Sequence, residues 1–189
     1  MEWRVVADIA VGLAVPLGTA GLFALRWISL REVLFVVLGF LIGLSFELFI
    51  GLLPGFIVFK MRWPLPMVTI LVSHSLWDAG LLMAGCVLAG VVLRRRLSDV
   101  CARFDWRELA VMALWGAGSA FVVELVGNGV MWEYQPRGWN PVWITINGQG
   151  YTAFIQLVWV VAPVVFYLGC LGISRYFSRQ RHEGEKICR

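Results

Sequence analysis

The chain has 189 residues, is 60% hydrophobic and has a mean hydropathy of +0.79. A soluble domain is only about 45–50% apolar, so the composition excludes one and predicts a single membrane-embedded bundle. The net charge of +4 does not point to nucleic acid, because the Lys and Arg residues sit at the ends of apolar runs, where membrane topology explains them.

The first apolar run, Val5 to Leu25, is expected to be a span. It is long for the core of a signal peptide, Glu2 precedes it, and Pro16 and Gly18 interrupt it. A second span is expected over residues 33–59. There Gly39, Gly43, Gly51 and Gly55 recur at four-residue spacing around Glu47. Small residues so spaced let helix backbones approach closely, within the chain or between two copies of it. That stripe is the candidate homo-oligomer surface, and it turns Glu47 toward protein.

The third span, residues 66–93, carries the central stretch VTILVSHSLWDAGLLMAGCVL. His74 and Asp78 stand four residues apart there and share one helix face. Basic residues Arg94 to Arg96 close the span, and a basic connection with Phe104 and Trp106 suits the membrane surface. In the fourth span, residues 109–132, Ala113, Ala117, Ala120, Glu124 and Asn128 share a face. The aromatic segment 132–151 is broken by Pro136, Gly138, Pro141 and Gly148, and is expected as a lid, a hairpin or an interfacial loop. The fifth span covers residues 152–173, with Gln156, Trp159 and Pro163 on one face. Residues 174–189 form a polar tail, expected to lose order beyond its first turn.

The fold expected is therefore all-α: a polytopic five-transmembrane-helix bundle, residues 1–173, with a short polar tail. Twelve Lys and Arg fall on the side of the tail and four on the other. The positive-inside rule then puts the N-terminus outside and the C-terminus in the cytoplasm, in a bacterial inner membrane or the endoplasmic reticulum. The four cysteines lack CxxC spacing; Cys86 and Cys170 read as small apolar residues inside helices, with no disulfide or zinc framework.

Depth follows from the helical rise of about 1.5 Å per residue. Measured from the non-cytoplasmic ends, His74 and Glu124 lie about 12 Å down, and Asp78 and Glu47 about 18 Å. Gln156 and Trp159 lie at about 6 and 10 Å. Polar groups from four helices thus share one layer. Three intramembrane carboxyl groups cost on the order of 8–10 kcal/mol on insertion scales, which marks them as functional candidates. One His with carboxylates is a weak metal signal, and Ser73 and Ser75 point away from His74. The inner halves of the spans are apolar, which argues against a through-path for ions.

Acid–base chemistry on an apolar lipid fits the inventory better. A neutral carboxylic acid protonates an alkene, aromatic faces hold the cation, and a second base takes a proton. Glu47, His74, Asp78 and Glu124 are the candidate catalytic residues. Trp77, Asn128, Trp132, Gln156 and Trp159 are the candidate substrate-binding residues. An apolar lipid substrate and the surrounding membrane lipids are the expected partners, with no nucleic acid, metal or cofactor. A non-enzymatic lipid or small-molecule binding protein, a transporter, and a subunit of a larger complex are the competing readings.

The stretches ELVGNGVMWEY (Glu124–Tyr134) and FIQLVWVVAP (Phe154–Pro163) resemble the last two helices of the emopamil-binding, or EXPERA, family of sterol isomerases. The family pattern Asn-x-x-Trp-x-x-x-Pro reads here as Gln156, Trp159 and Pro163. The resemblance implies about five spans, carbocation chemistry, substrate contact by Gln156 and Trp159, and an acid role for Glu47. The family's His one turn before that acid is replaced by Gly43, and its third-helix acid has no direct match beyond the nearby His74 and Asp78. Membrane-bound terpene cyclases use similar acids.

Overall fold

The computed structural model describes residues 3–60, 63 and 65–187, with side chains to residue 180. Among the described residues, five helices are long and apolar enough to cross a membrane: α1 (Trp3–Ala24), α2 (Leu30–Leu52), α3 (Met67–Val92), α4 (Trp106–Gly127) and α5 (Ala153–Ile187). The chain is mostly helical, and its apolar helices make it an integral membrane protein. It is not all-α, because four short strands cap one end: β1 (Ile57–Phe59), β2 (Trp132–Tyr134), β3 (Val142–Ile146) and β4 (Gln149–Thr152).

Local chemistry sets the helix ends. The Ser29 backbone N–H donates to Glu32 at 2.8 Å, opening α2. Asp105 caps α4 by accepting the Arg107 backbone N–H at 2.9 Å. α2 stops at Leu52, short of the expected residue 59, because Pro54 and Gly55 follow, the latter at φ +65°. Residues 57–59 instead become β1, which pairs antiparallel with β2, setting Phe59 opposite Trp132 and Ile57 opposite Tyr134. α4 likewise ends at Gly127, and Gly129 turns the chain at φ +81°. β3 and β4 form a hairpin through Asn147 and Gly148, both at positive φ, as the Asn-Gly pair of a tight turn requires.

The tail corrects a second expectation. α5 continues past residue 173 to Ile187. No proline interrupts the segment, and each added residue gains one backbone bond at no new nucleation cost.

α3 is the central element, packed against α1, α2 and α4. The α2 glycines make the closest approach. A Cβ at Gly39 would lie 3.1 Å from Ala79 Cα, and one at Gly43 would lie 2.8 Å from Asp78 Cβ. Gly51 meets Leu71 in the same way. Gly39, Gly43 and Gly51 are thus covered by α3 of the same chain, whereas Gly55 lies beyond α2 and faces Arg137. α4 and α5 pair through Gly116 and Pro163. One apolar core, built on Phe35, Leu82, Met112, Phe166 and Tyr167, fills the end of the bundle where α3 stops and α4 begins. The other end is hollow.

Candidate functional site

A cavity of about 250 Å³ lies where α1, α3 and α5 begin and α2 and α4 end. All five helices line it, and β1 and β2 cover it through Ile57, Trp132 and Tyr134. The α3 contribution is His74, Trp77, Asp78 and Leu81, the one-face repeat that the sequence pattern presents.

His74 is the centre of the ionisable group. Its Nδ1 lies 3.7 Å from Glu47 Oε2, and its Nε2 lies 3.5 Å from Asp8 Oδ1. Neither approach is a well-formed hydrogen bond, and His74 Nε2 and Asp8 Oδ2 are buried without a hydrogen-bond partner. Trp77 Nε1 donates to the Asp8 carbonyl at 2.9 Å, tying α3 to α1. Asp78, one turn beyond His74, is 7% exposed and presses on Gly43.

Glu124 faces this group from α4 and is 4% exposed. Two donors from the cap reach it: Tyr134 OH at 3.2 Å from Oε1 and Trp132 Nε1 at 3.4 Å from Oε2. Burial pushes the Tyr134 phenol well above its usual range, so it stays a hydrogen-bond donor. The Trp132 ring also meets His74 edge-on, with centroids 5.6 Å apart. At the rim of the cap, Lys60 and Glu133 form an ion pair at 2.5 Å.

Of the residues singled out in the sequence, Glu47, His74, Asp78, Glu124, Trp77, Trp132 and Trp159 line this one cavity. Asn128 and Gln156 do not. Asn128 Nδ2 instead donates to the Gly150 carbonyl at 2.9 Å, anchoring the end of α4 to β4. The hairpin β3–β4 contributes nothing to the lining, so among the described residues the strands of the cover are β1 and β2.

No family model, curated protein or solved structure matches this chain. The resemblance to the emopamil-binding family therefore stands on its motif residues. Glu124, Trp132 and Trp159 of those motifs line the cavity, and Gln156 lies outside it.

Two polar lining residues, Asp8 and Tyr134, are not among the candidates that the sequence pattern presents. Asp8 is the one acid inside the first apolar run, and that alone could have flagged it. Tyr134 carried no signal, because only the β1–β2 pairing turns it toward Glu124.

The walls beyond this layer are apolar. Phe46, Ile50, Leu81, Val123 and Val158 supply most of them. Val122 and Val126 also line the cavity, yet they are 58% and 68% exposed on the outer face of α4. The cavity therefore opens sideways along α4, between spanning helices, where the surroundings of a membrane protein are acyl chains.

Proposed function

We propose that this protein is a membrane-embedded isomerase or cyclase that acts on an isoprenoid-like lipid by proton transfer. The observation that carries the reading is one cavity holding four carboxyl groups and one imidazole among tryptophans, with a mouth toward lipid. A binding pocket for an apolar lipid needs no such set of acids, and each costs insertion energy.

The roles follow from the partners. Asp8, Glu47 and Asp78 surround a single His74. Three carboxyl groups around one imidazole put proton donors and acceptors side by side in a dry site. Glu47, at the cavity wall beside His74, donates a proton to an alkene carbon of the lipid. The alkene electron pair forms the new C–H bond and leaves a carbocation on the neighbouring carbon. Trp77, Trp132 and Trp159, which line the cavity, hold that cation against their ring faces. Glu124, supplied with two hydrogen bonds from Trp132 and Tyr134, is held ready as the base. It removes a proton from an adjacent carbon, and the C–H electrons close a new double bond. The proton returns to Glu47 through water or the His74 group, so the cycle balances.

Cavity size bears on the substrate. Pockets for whole drug-sized ligands run about 300–1,000 Å³. About 250 Å³ suits the reacting end of an extended isoprenoid, with the rest of the chain leaving past Val122 and Val126. A four-ring sterol would need the cap to move. The charge count of the loops supports a cavity on the non-cytoplasmic side with the N-terminus outside, in a bacterial inner membrane or the endoplasmic reticulum.

The test is native mass spectrometry of gently purified protein, followed by turnover assays on whatever lipid copurifies. Glu47→Gln and Glu124→Gln should each keep the bound lipid and lose at least about 100-fold in turnover, as the loss of a general acid or base does. Wild-type turnover in both variants would overturn the reading. Retained binding with no turnover by wild type would make this a lipid-binding protein.

A further inference from the structure

Three cysteines far apart in sequence meet at the opposite end of the bundle. Cys86 of α3, Cys170 of α5 and Cys101 of the connection between α3 and α4 place their sulfur atoms within 4.8 Å of one another. All three are free thiols with no exposed surface. The sequence reading found no sulfur framework because residues 86, 101 and 170 have no local spacing. Tertiary packing alone assembles the triad.

The backbone at Cys101 is the second observation. Its φ is +58°, the left-handed region that glycine and asparagine favour and other side chains rarely adopt. A glycine would sit there without strain. The chain instead turns inward at this point, burying both Val100 and Cys101 completely, and the Cys101 N–H donates to Glu108 Oε2 at 3.0 Å. A loop that only needed to turn would have no use for a thiol aimed into the bundle.

We propose that Cys86, Cys101 and Cys170 form a binding site for one thiophilic d10 metal ion, Cu(I) or Zn(II). Sulfur donors without oxygen or nitrogen ligands select these ions. With metal–sulfur bonds of about 2.3 Å, a trigonal site sets its sulfur atoms about 4 Å apart. The present spacing needs a contraction of less than an ångström. A disulfide would join two of the three and strand the third. On binding, each thiol forms a metal–sulfur bond and gives its proton to solvent, so a divalent ion leaves the site with one negative charge and a monovalent ion with two. Arg31 sits at the edge of this core, its guanidinium 5.3 Å from the ring of Phe35 and paired with Glu32 at 2.6 Å. Met112, buried in the same core, offers a thioether as a further soft neighbour. The site joins α3, α5 and the connecting loop, and it stands apart from the lipid cavity.

The experiment uses full-length protein in detergent, purified anaerobically with Cys188→Ser to remove the tail thiol. Elemental analysis is followed by reconstitution with Zn(II) and, separately, Cu(I), against competing chelators. One equivalent of one ion is expected, and its identity separates the two sources. Cys101→Gly keeps the turn and deletes a ligand, so it should lower affinity at least tenfold while helix content and thermal midpoint of the apo protein hold. Cys170→Ala is the second ligand deletion and should act alike. Failure to bind either ion would overturn the proposal, as would unchanged affinity in Cys101→Gly. A thiol count of one rather than three after denaturation would identify a disulfide and overturn it as well.

Discussion

The two ends of the bundle treat buried charge in opposite ways. Where α3 stops and α4 begins, Glu108 is 1% exposed, yet each of its oxygens is satisfied. Arg95 Nη1 reaches Oε1 at 2.7 Å, and the Cys101 N–H and Tyr167 OH reach Oε2 at 3.0 and 3.4 Å. Arg95 also holds Asp105 at 2.7 Å, and Asp105 caps the helix. At the cavity end, four acids face one imidazole, and among the described residues no arginine lines the space. Two of its ionisable groups carry orphaned atoms, Asp8 Oδ2 and His74 Nε2. A buried carboxylate with a full set of partners holds structure together. A group of acids short of partners costs stability and is retained for chemistry.

The contrast can be broken by experiment. The largest effect is expected at the satisfied end. Arg95→Ala leaves the buried Glu108 carboxylate with only the Cys101 N–H and Tyr167 OH as partners and should lower the thermal midpoint in detergent clearly. Asp8→Asn at the cavity end keeps the shape and removes a charge that has no full partner. It should change stability by less than about 1 kcal/mol, or raise it. Equal losses in the two variants would erase the distinction between the ends.

Acid offers the smallest and most local test. The Arg107 backbone N–H, then the Arg95 guanidinium, hold the Asp105 carboxyl below its ordinary value of 3.8. A lowered value in the folded state means a contribution that is present above about pH 4 and lost as pH falls through the folded value. Hydrogen exchange over residues 97–108 should therefore quicken below pH 4. Asp105→Asn should abolish that pH dependence, and an unchanged profile in this variant would show that another group controls it.

Much of this molecule was legible without coordinates. Hydropathy along the chain marks five spans, because a bilayer rewards some twenty consecutive apolar residues whatever their neighbours do. The same logic exposes Glu47, His74, Asp78 and Glu124, since a polar residue inside an apolar run stands out locally. Proline and glycine after Leu52 also announced a stop that the reading passed over. Asn147-Gly148 announced the hairpin.

Which polar groups meet is a different matter. The pairing of Asp8 with His74 depends on α1 lying against α3, and the grip of Tyr134 on Glu124 depends on β1 meeting β2. The triad of Cys86, Cys101 and Cys170 depends on three elements closing together. Sequence determined which segments enter the membrane and which residues are costly there, because both are properties of one segment against its solvent. Packing between segments decided who faces whom, because helix rotation and depth are set by close contacts such as Gly43 on Asp78. No single segment contains that information.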